Sequence, residues 1–194
     1  IYLCAGILTW GLFAEIVGRA QNTFLENANL LKKLSFPRLS LPVIVVTNAL
    51  LNFAIIFGLF TGFLVVTGNF PGIVYVALLP VLIILTAFAI GLGITLGVLN
   101  VFFRDVGQFF GIFLQFWFWL TPIVYPASIL SEGIAGVIDY NPMTSIVTAC
   151  QGILVNQQWP EWKTLWPVTL LATLLWILGF RLFRRRAGEM VDEL

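Results

Sequence analysis

The basic residues of this chain are distributed very unevenly among the gaps between its long apolar runs. If the gaps are numbered along the chain, nine of the ten basic residues lie in the first gap, in the third gap and at the C-terminal end. Only Lys163 lies in an even-numbered gap, the fourth. The nine are Arg19, Lys32, Lys33, Arg38, Arg104, Arg181, Arg184, Arg185 and Arg186. Basic loops close to a span resist translocation and so collect in the cytoplasm. The pattern predicts a multi-pass membrane protein with an odd number of crossings and a cytoplasmic C-terminus.

Five apolar runs approach the length of a membrane span, which needs roughly 20 residues. They cover residues 1–17, 41–66, 73–99, 108–125 and 165–183. Only 10% of the residues are charged, against about 25% in soluble domains, and no polar stretch is long enough to fold alone. We therefore predict one all-α integral membrane domain over residues 1–194. Because the first run begins without a methionine or a basic flank, we expect the chain to be truncated at its N-terminus.

Residues 127–163 do not fit a simple span. Their apolar part, residues 143–155, has 13 residues and is too short to cross a membrane. A crossing there would also move the terminal arginines to the outer side. We expect an outer-face excursion with one or two short re-entrant or interfacial helices between the last two spans. Tyr140, Trp159 and Trp162 would mark the outer interface.

The sequence offers no catalytic or metal site. Histidine, the commonest general base and metal ligand, is absent, and the acidic residues Glu132, Asp139 and Glu161 fall in the outer excursion. Cys4 and Cys150 lack metal-like spacing, and they are compatible with a disulfide or with two reduced thiols. Secondary transporters usually carry ionisable groups inside the membrane. Their scarcity in these spans indicates that the energy for any transport comes from another subunit.

Some local patterns have two interpretations. Asn48 and Asn52 lie four residues apart and share a helix face, which suits either an interhelical hydrogen bond or a channel wall. The aromatic run between residues 108 and 125 suits core packing or contact with the flat faces of sugar rings. The amphipathic residues 26–37 suit an interfacial helix or a docking helix for a cytoplasmic partner.

Other patterns predict local contacts. Gly93 and Gly97 have the spacing of small residues that let two membrane helices approach closely. Glu15 lies four residues before Arg19, which predicts a local ion pair. At the next inner turn, the plain interpretation of Arg104 and Asp105 is also a local ion pair.

Four ordered motifs resemble those of the permease subunits of bacterial polysaccharide ABC exporters, which are ABC type 2 permeases. The motifs are ENANLLKK at 26–33 followed by FPR at 36–38, NVFFRDV at 100–106, TPIVYP at 121–126 and NPM at 141–143. The resemblance covers the whole chain. It is much less specific for the glycan, which includes O-antigen, capsular polysaccharide or teichoic acid in this family.

The resemblance implies a six-helix permease of the bacterial inner membrane, of which five helices are visible here. It implies a homodimer that binds two copies of a separate ABC ATPase and moves a lipid-linked polysaccharide outward. ATP and Mg would bind to the ATPase, and this chain would carry no cofactor. Membrane lipid is the remaining partner, and no nucleic acid is expected.

The resemblance also assigns roles to residues. The ATPase-coupling loop would contain Asn22, Glu26, Asn27, Asn29, Leu30, Lys32 and Lys33, and the next inner turn would contain Arg104 and Asp105. Candidate channel-lining residues are Asn48, Asn52, Phe113, Phe116, Trp117, Trp119 and Tyr125. The outer excursion would cap the pore.

Two other functions stay open at this point. One is an ABC exporter permease for a drug or a small lipid. The other is a membrane enzyme that modifies glycans, for which Glu132, Asp139 and Glu161 are the only grouped acidic candidates.

Overall fold

All secondary structure in the described part of the chain is helical, which confirms the predicted all-α class. The computed structural model describes residues 1–32, 40–125, 136, 138 and 140–193, with the side chains of 191 and 192 excluded. The helices are α1 (Tyr2–Glu26), α2 (Ala28–Leu31), α3 (Ser40–Val66), a 3-10 helix (Gly72–Ala77), α4 (Leu78–Phe102), α5 (Asp105–Trp119), α6 (Pro142–Asn156), α7 (Trp162–Arg186) and α8 (Glu189–Glu193).

Four helical segments are long and apolar enough to cross a membrane, as expected for an integral membrane protein. They are Tyr2–Glu26, Ser40–Val66, Gly72–Phe102 and Trp162–Arg186. The predicted span at 108–125 instead contains α5, which has only 15 residues, so the count of five crossings stays a prediction. Helix α6, also of 15 residues, lies where the sequence predicts a short outer helix. Its re-entrant position stays a prediction too.

Helix α1 continues nine residues beyond the predicted end of the first span, from Val17 to Glu26. The predicted run ended at Val17 because it counted apolar residues only, whereas the helix continues into polar residues. The polar continuation stays helical because it packs on α4, with Ala20 and Phe24 buried in that contact. Asn22 and Glu26 are therefore helical residues and do not lie in a loop.

Helix α4 packs between α1 and α7 through glycines, and the three helices run in the same direction. A Cβ atom on Gly93 would lie 2.6 Å from the Cβ of Ala20, and one on Gly97 would lie 2.7 Å from the Ala20 carbonyl oxygen. On the α7 side, a Cβ atom on Gly91 would lie 2.8 Å from the backbone nitrogen of Trp176. The predicted close approach at Gly93 and Gly97 is confirmed.

The variant Gly97→Val should destabilise the α1–α4 contact by about 1–3 kcal/mol, as expected for overpacking against a backbone atom that cannot move aside. The matched control is Gly58→Val in α3, because no atom lies within 4 Å of a Cβ built there. The measurement is the thermal unfolding midpoint of the detergent-solubilised full-length protein. Equal midpoints for the two variants would contradict the close approach seen here.

Contacts at both ends of α1 show how far α5 and the residues after it extend along the axis of α1. The hydroxyl of Tyr2 donates to the carbonyl of Tyr125 at 3.2 Å, and Nε2 of Gln21 donates to the carbonyl of Gly107 at 3.3 Å. The stretch of α1 between Tyr2 and Gln21 is about 28 Å long at 1.5 Å per residue. Helix α5 and the residues after it run over this same depth. We name the end with Gln21 the inner end and the end with Tyr2 the outer end.

Candidate functional site

Buried polar groups join α1, α4 and α5 at the inner end. Nδ2 of Asn100 donates to the carbonyl of Gln21 at 2.9 Å and to Oδ1 of Asn22 at 3.1 Å. Oδ1 of Asn100 accepts from the backbone N–H of Gly107 at 2.9 Å. Asn100 is only 1% exposed. We call Gln21, Asn22, Asn100 and Gly107 the inner polar cluster.

The inner polar cluster supplies the N-terminal cap of α5. The first N–H groups of a helix have no partner within that helix, and the residue that precedes α5, Arg104, makes no side-chain cap. The amide of Asn100, on the preceding helix, accepts from Gly107 and so caps α5. Only glycine fits at 107, because a Cβ atom there would lie 2.6 Å from Nδ2 of Asn100.

The residues assigned to ATPase coupling surround the end of α1. Glu26, Asn29 and Lys32 are exposed, whereas Asn22, Asn27 and Leu30 are partly buried. Nδ2 of Asn27, at the C-terminal cap of α1, donates to the Thr23 carbonyl at 2.9 Å. Lys33 lies outside the described residues.

An apolar contact ties this segment to the rest of the inner end. The buried side chain of Leu31, in α2, belongs to an inner apolar cluster. The other buried members are Phe24, Leu41, Val98, Val101, Phe183 and Met190. The inner apolar cluster therefore contains residues of α1, α2, α3, α4 and the C-terminal helices.

At the turn between α4 and α5, Arg104 and Asp105 are both exposed. Within the described residues they form no ion pair with each other, so that expectation is wrong. Asp105 instead lies in the first turn of α5, where the helix dipole stabilises a carboxylate. The predicted Glu15–Arg19 ion pair is confirmed, with an N–O distance of 2.8 Å.

The aromatic residues of α5 divide between two faces. Trp117 faces the protein interior, where its ring centroid lies 5.3 Å from that of Phe13 and 6.1 Å from that of Trp10. Its Nε1 donates to Oδ1 of Asn141 at 2.8 Å. Trp117 is thus a packing residue in this structure, which corresponds to the core alternative of the sequence analysis.

The neighbouring face of α5 is an exposed aromatic surface that meets Trp117 at one edge, where the ring centroids of Phe113 and Trp117 lie 5.3 Å apart. Phe109, Phe113, Phe116 and Trp119 recur at helical spacing and are 70%, 39%, 65% and 63% exposed. Tyr125 is half-buried, and its hydroxyl donates to the Trp119 carbonyl at 2.9 Å. The predicted lining residues Phe113, Phe116 and Trp119 therefore share one face, and we call Phe109, Phe113, Phe116 and Trp119 the aromatic face.

The two polar candidates on α3 are both exposed. Nδ2 of Asn52 donates to Oε1 of Glu15 at 2.9 Å, which joins α3 to α1. Asn52 therefore makes the interhelical hydrogen bond that was one of its two interpretations. Asn48 lies one helical turn before Asn52 on the same exposed face of α3.

Asn141 organises the outer end. Its Oδ1 accepts from Trp117 and from the backbone N–H of Met143, and its Nδ2 donates to Oγ1 of Thr121 at 3.0 Å. It is therefore both the N-terminal cap of α6 and the contact between α6 and α5. Sequence reasoning found Asn141 only as part of a motif. A capping residue directly before Pro142 was the signal that could have identified its local role.

The two cysteines are free thiols. Cys4 is exposed and Cys150 is buried, so the structure shows the reduced alternative. Burial raises the pKa of the Cys150 thiol to about 11, which keeps it protonated and unreactive at neutral pH.

Comparisons with known proteins agree on one family. Residues 1–155 match the sequence profile of the family described as ABC-2 type transporter. The chain is 30% identical over 157 residues to an O-antigen export system permease protein RfbA of Klebsiella pneumoniae, covering 80% of this chain and 61% of that protein. A protein of the same name from Myxococcus xanthus is 28% identical over 196 residues, covering 100% of this chain and 75% of that relative. The chain thus spans less than two thirds of the Klebsiella relative.

Proposed function

We propose, from the premise that this chain belongs to the ABC-2 type transporter family, that it is the permease subunit of an ATP-driven exporter of a lipid-linked polysaccharide. The polysaccharide would be O-antigen-like or capsule-like. The observation that carries this proposal is similarity to proteins named as O-antigen export permeases, along the whole chain for the Myxococcus relative and along 80% of it for the Klebsiella relative.

The inner end suits the docking of a separate ATPase. Glu26, Asn29 and Lys32 are exposed around α2, and Leu31 anchors that helix in the inner apolar cluster. A partner that pushes on α2 would therefore move the spans directly. We propose two copies of an ABC ATPase, which bind ATP and Mg, on a homodimer of this permease in the bacterial inner membrane.

Five crossings are compatible with the contacts of α5. Although α5 is short, the stretch from Gly107 to Tyr125 covers the same depth as about 28 Å of α1, which approaches the roughly 30 Å hydrocarbon core. Five crossings would place Lys32, Arg104 and Arg185 together in the cytoplasm, as the charge pattern requires.

The aromatic face of α5 is our candidate for the channel wall. Four exposed rings along one helix give a surface on which sugar rings can pack through their C–H faces without a deep binding well. In a homodimer, two such faces could oppose each other across the channel. Trp117 would then support the wall from behind instead of forming its surface.

The proposal is tested by export in a bacterial strain that lacks its own permease and ATPase for surface polysaccharide. The full-length protein is expressed with its cognate ATPase, with an ATPase inactivated in ATP hydrolysis, or alone. We expect surface glycan only with the active ATPase. Glycan at the surface without ATP hydrolysis, or none with the active pair, would overturn the proposed function.

The proposed topology predicts a distinct labelling pattern for single cysteines. In a Cys4→Ser, Cys150→Ala background, Lys163→Cys should react with a membrane-impermeant thiol reagent in intact cells. Lys32→Cys and Arg185→Cys should react only after the membrane is permeabilised. All three residues are exposed on the surface of the protein, so a difference in burial cannot explain a difference in their labelling. Labelling of Arg185→Cys in intact cells would contradict an odd number of crossings.

A further inference from the structure

A cavity of about 940 Å³ opens at the outer end, between α6, the first turns of α7 and the start of α1. Its size lies at the upper end of the range of small-molecule sites, about 300–1,000 Å³. The cavity lies away from the aromatic face, because none of the four rings of that face lines it.

One face of α6 supplies the polar wall of this cavity. Its lining residues from α6 include Thr144, Ser145, Thr148, Gln151, Gly152 and Asn156. At 100° per residue these six fall within a single stripe about 140° wide. The opposite stripe of α6 is apolar and buried, with Met143, Ile146 and Cys150 among its members. A polar stripe that faced only lipid would be costly, which indicates a wet cavity or a polar ligand.

A second feature of the wall is a buried hydroxyl group without a partner. Thr144 is 8% exposed, and its Oγ1 has no hydrogen-bond partner among the described residues. Buried hydroxyl groups are normally paired, and this one belongs to a residue that lines the cavity. The oxygen itself is closed off from solvent, so a ligand hydroxyl group in the cavity pairs with it once the Thr144 side chain turns toward the cavity.

The charge and the aromatic rings of the lining narrow the class of ligand. Among the lining residues that the structure describes, Glu161 is the only one with a charged side chain. A wall with a carboxylate and without a cation disfavours phosphate and other anions. Trp159 and Tyr140 also line the cavity and are 56% and 91% exposed, so they offer flat apolar surfaces beside the hydroxyl and amide groups.

We propose that this cavity binds neutral sugar units of the exported glycan at the outer end of the permease. The inference rests on the proposed function and deepens it, because it adds a glycan contact that is separate from the aromatic face. The hydroxyl groups of α6 exchange hydrogen bonds with sugar hydroxyls, while Trp159 packs on the apolar face of a ring.

Two variants test the proposal, each with a matched control. The triple variant Thr144→Val, Ser145→Ala and Thr148→Val removes the hydroxyls and keeps the shape. Its control is Thr173→Val, an exposed threonine of α7 whose hydroxyl bonds its own helix. The variant Gly152→Trp fills the cavity, since no atom lies within 4 Å of a Cβ there. Its control is Gly58→Trp, which is equally open and lies in α3.

The binding measurement uses the full-length permease with its ATPase in lipid nanodiscs. The probe is the neutral oligosaccharide repeat released from the lipid of the host's own surface glycan, followed by saturation-transfer NMR and equilibrium dialysis. We expect about tenfold weaker binding for the triple variant, as for the loss of two or three hydrogen bonds. We expect a loss of at least that size for Gly152→Trp, because the indole occupies the space of the sugar. The controls should bind as the unmodified complex does. Inorganic pyrophosphate and anionic phospholipid headgroups should not compete.

Unchanged binding in both cavity variants would overturn the inference. So would competition by phospholipid headgroups, because the cavity would then be a lipid site. Both outcomes can be distinguished from a failure of the proposed function. In either case the unmodified complex would still export glycan in the strain that lacks its own permease and ATPase. If that complex exported no glycan, the proposed function itself would fail.

Discussion

We expect Gly107→Ala to destabilise the unmodified protein and to stabilise the Asn100→Ala variant. Alone, the new methyl group overlaps the amide of Asn100, with Nδ2, Oδ1 and Cγ at 2.6, 2.9 and 3.0 Å from the added Cβ. That amide cannot swing away freely, because three hydrogen bonds hold it. We expect a loss of about 1–3 kcal/mol, as for other overpacked sites.

Asn100→Ala removes all three of the overlapping atoms and is itself destabilising. It leaves the N–H of Gly107 buried without its cap, at an expected cost of about 1–3 kcal/mol. In that background the three atoms nearest to the added Cβ are gone, and alanine has a better helix propensity than glycine, by up to about 1 kcal/mol. The double variant should therefore be more stable than Asn100→Ala alone. A change of sign of this kind is diagnostic of direct contact between two sites.

The measurement is the thermal midpoint of the solubilised full-length protein, with surface glycan as the functional readout. Gly111→Ala is the matched control, since it lies one turn further along α5 in open space and should be neutral or slightly stabilising. Destabilisation of the double variant by the sum of the two single effects would show that the inner polar cluster is not as described.

The span pattern was readable from the sequence because the length of an apolar run is a local property. Helices α3 and α7 begin and end within a few residues of the predicted runs. The C-terminal end of α1 was not readable, because its polar residues are kept helical by contacts with α4 and α5. Asn22 shows this clearly, since its Oδ1 is held by Asn100, a residue far away in the sequence.

The aromatic run shows a different limit of sequence reasoning. Helical spacing separates Trp117 from the stripe that contains Phe109 and Phe116, so the two faces were available from the sequence. Nothing in the sequence says which of two aromatic faces packs inward. That choice depends on Trp10, Phe13 and Phe88, which come from other helices.

The inner polar cluster was missed for the same reason. Its members were visible one by one, because Asn100 and Gly107 are the first and last residues of the break between two apolar runs. What the sequence did not reveal is that these residues contact each other across α1, α4 and α5. Long-range pairs of this kind leave no periodic signal in a single sequence.

Asn141→Ala has the second large expected effect, because one side chain holds two elements together. The substitution removes the cap of α6, at about 1 kcal/mol, and leaves the Trp117 indole N–H without its partner, at about 1–3 kcal/mol. We expect a fall of the thermal midpoint by about 5–10 °C. Export should fall as well, because α6 would lose its anchor on α5.

Asn141→Asp separates the two halves of this effect. A carboxylate keeps the acceptor for Trp117 and for the N–H of Met143, and its negative charge is favoured at the N-terminus of α6. It loses the Nδ2 donations to Thr121 and to the Leu120 carbonyl. The aspartate variant should therefore lie between the alanine variant and the unmodified protein. Asn69→Ala is the control, since Asn69 is exposed in a turn and donates only locally.

Trp117→Phe completes the test as a double-mutant cycle. Phenylalanine keeps most of the ring packing against Phe13 but has no N–H to donate to Asn141. If the hydrogen bond joins α5 to α6 as the structure shows, the effects of Trp117→Phe and Asn141→Ala are less than additive, by about 0.5–1.5 kcal/mol. Strict additivity would mean that the two residues act independently. The docking of α6 would then depend on its apolar face alone, and the outer cavity would lose the fixed wall that its sugar-binding role requires.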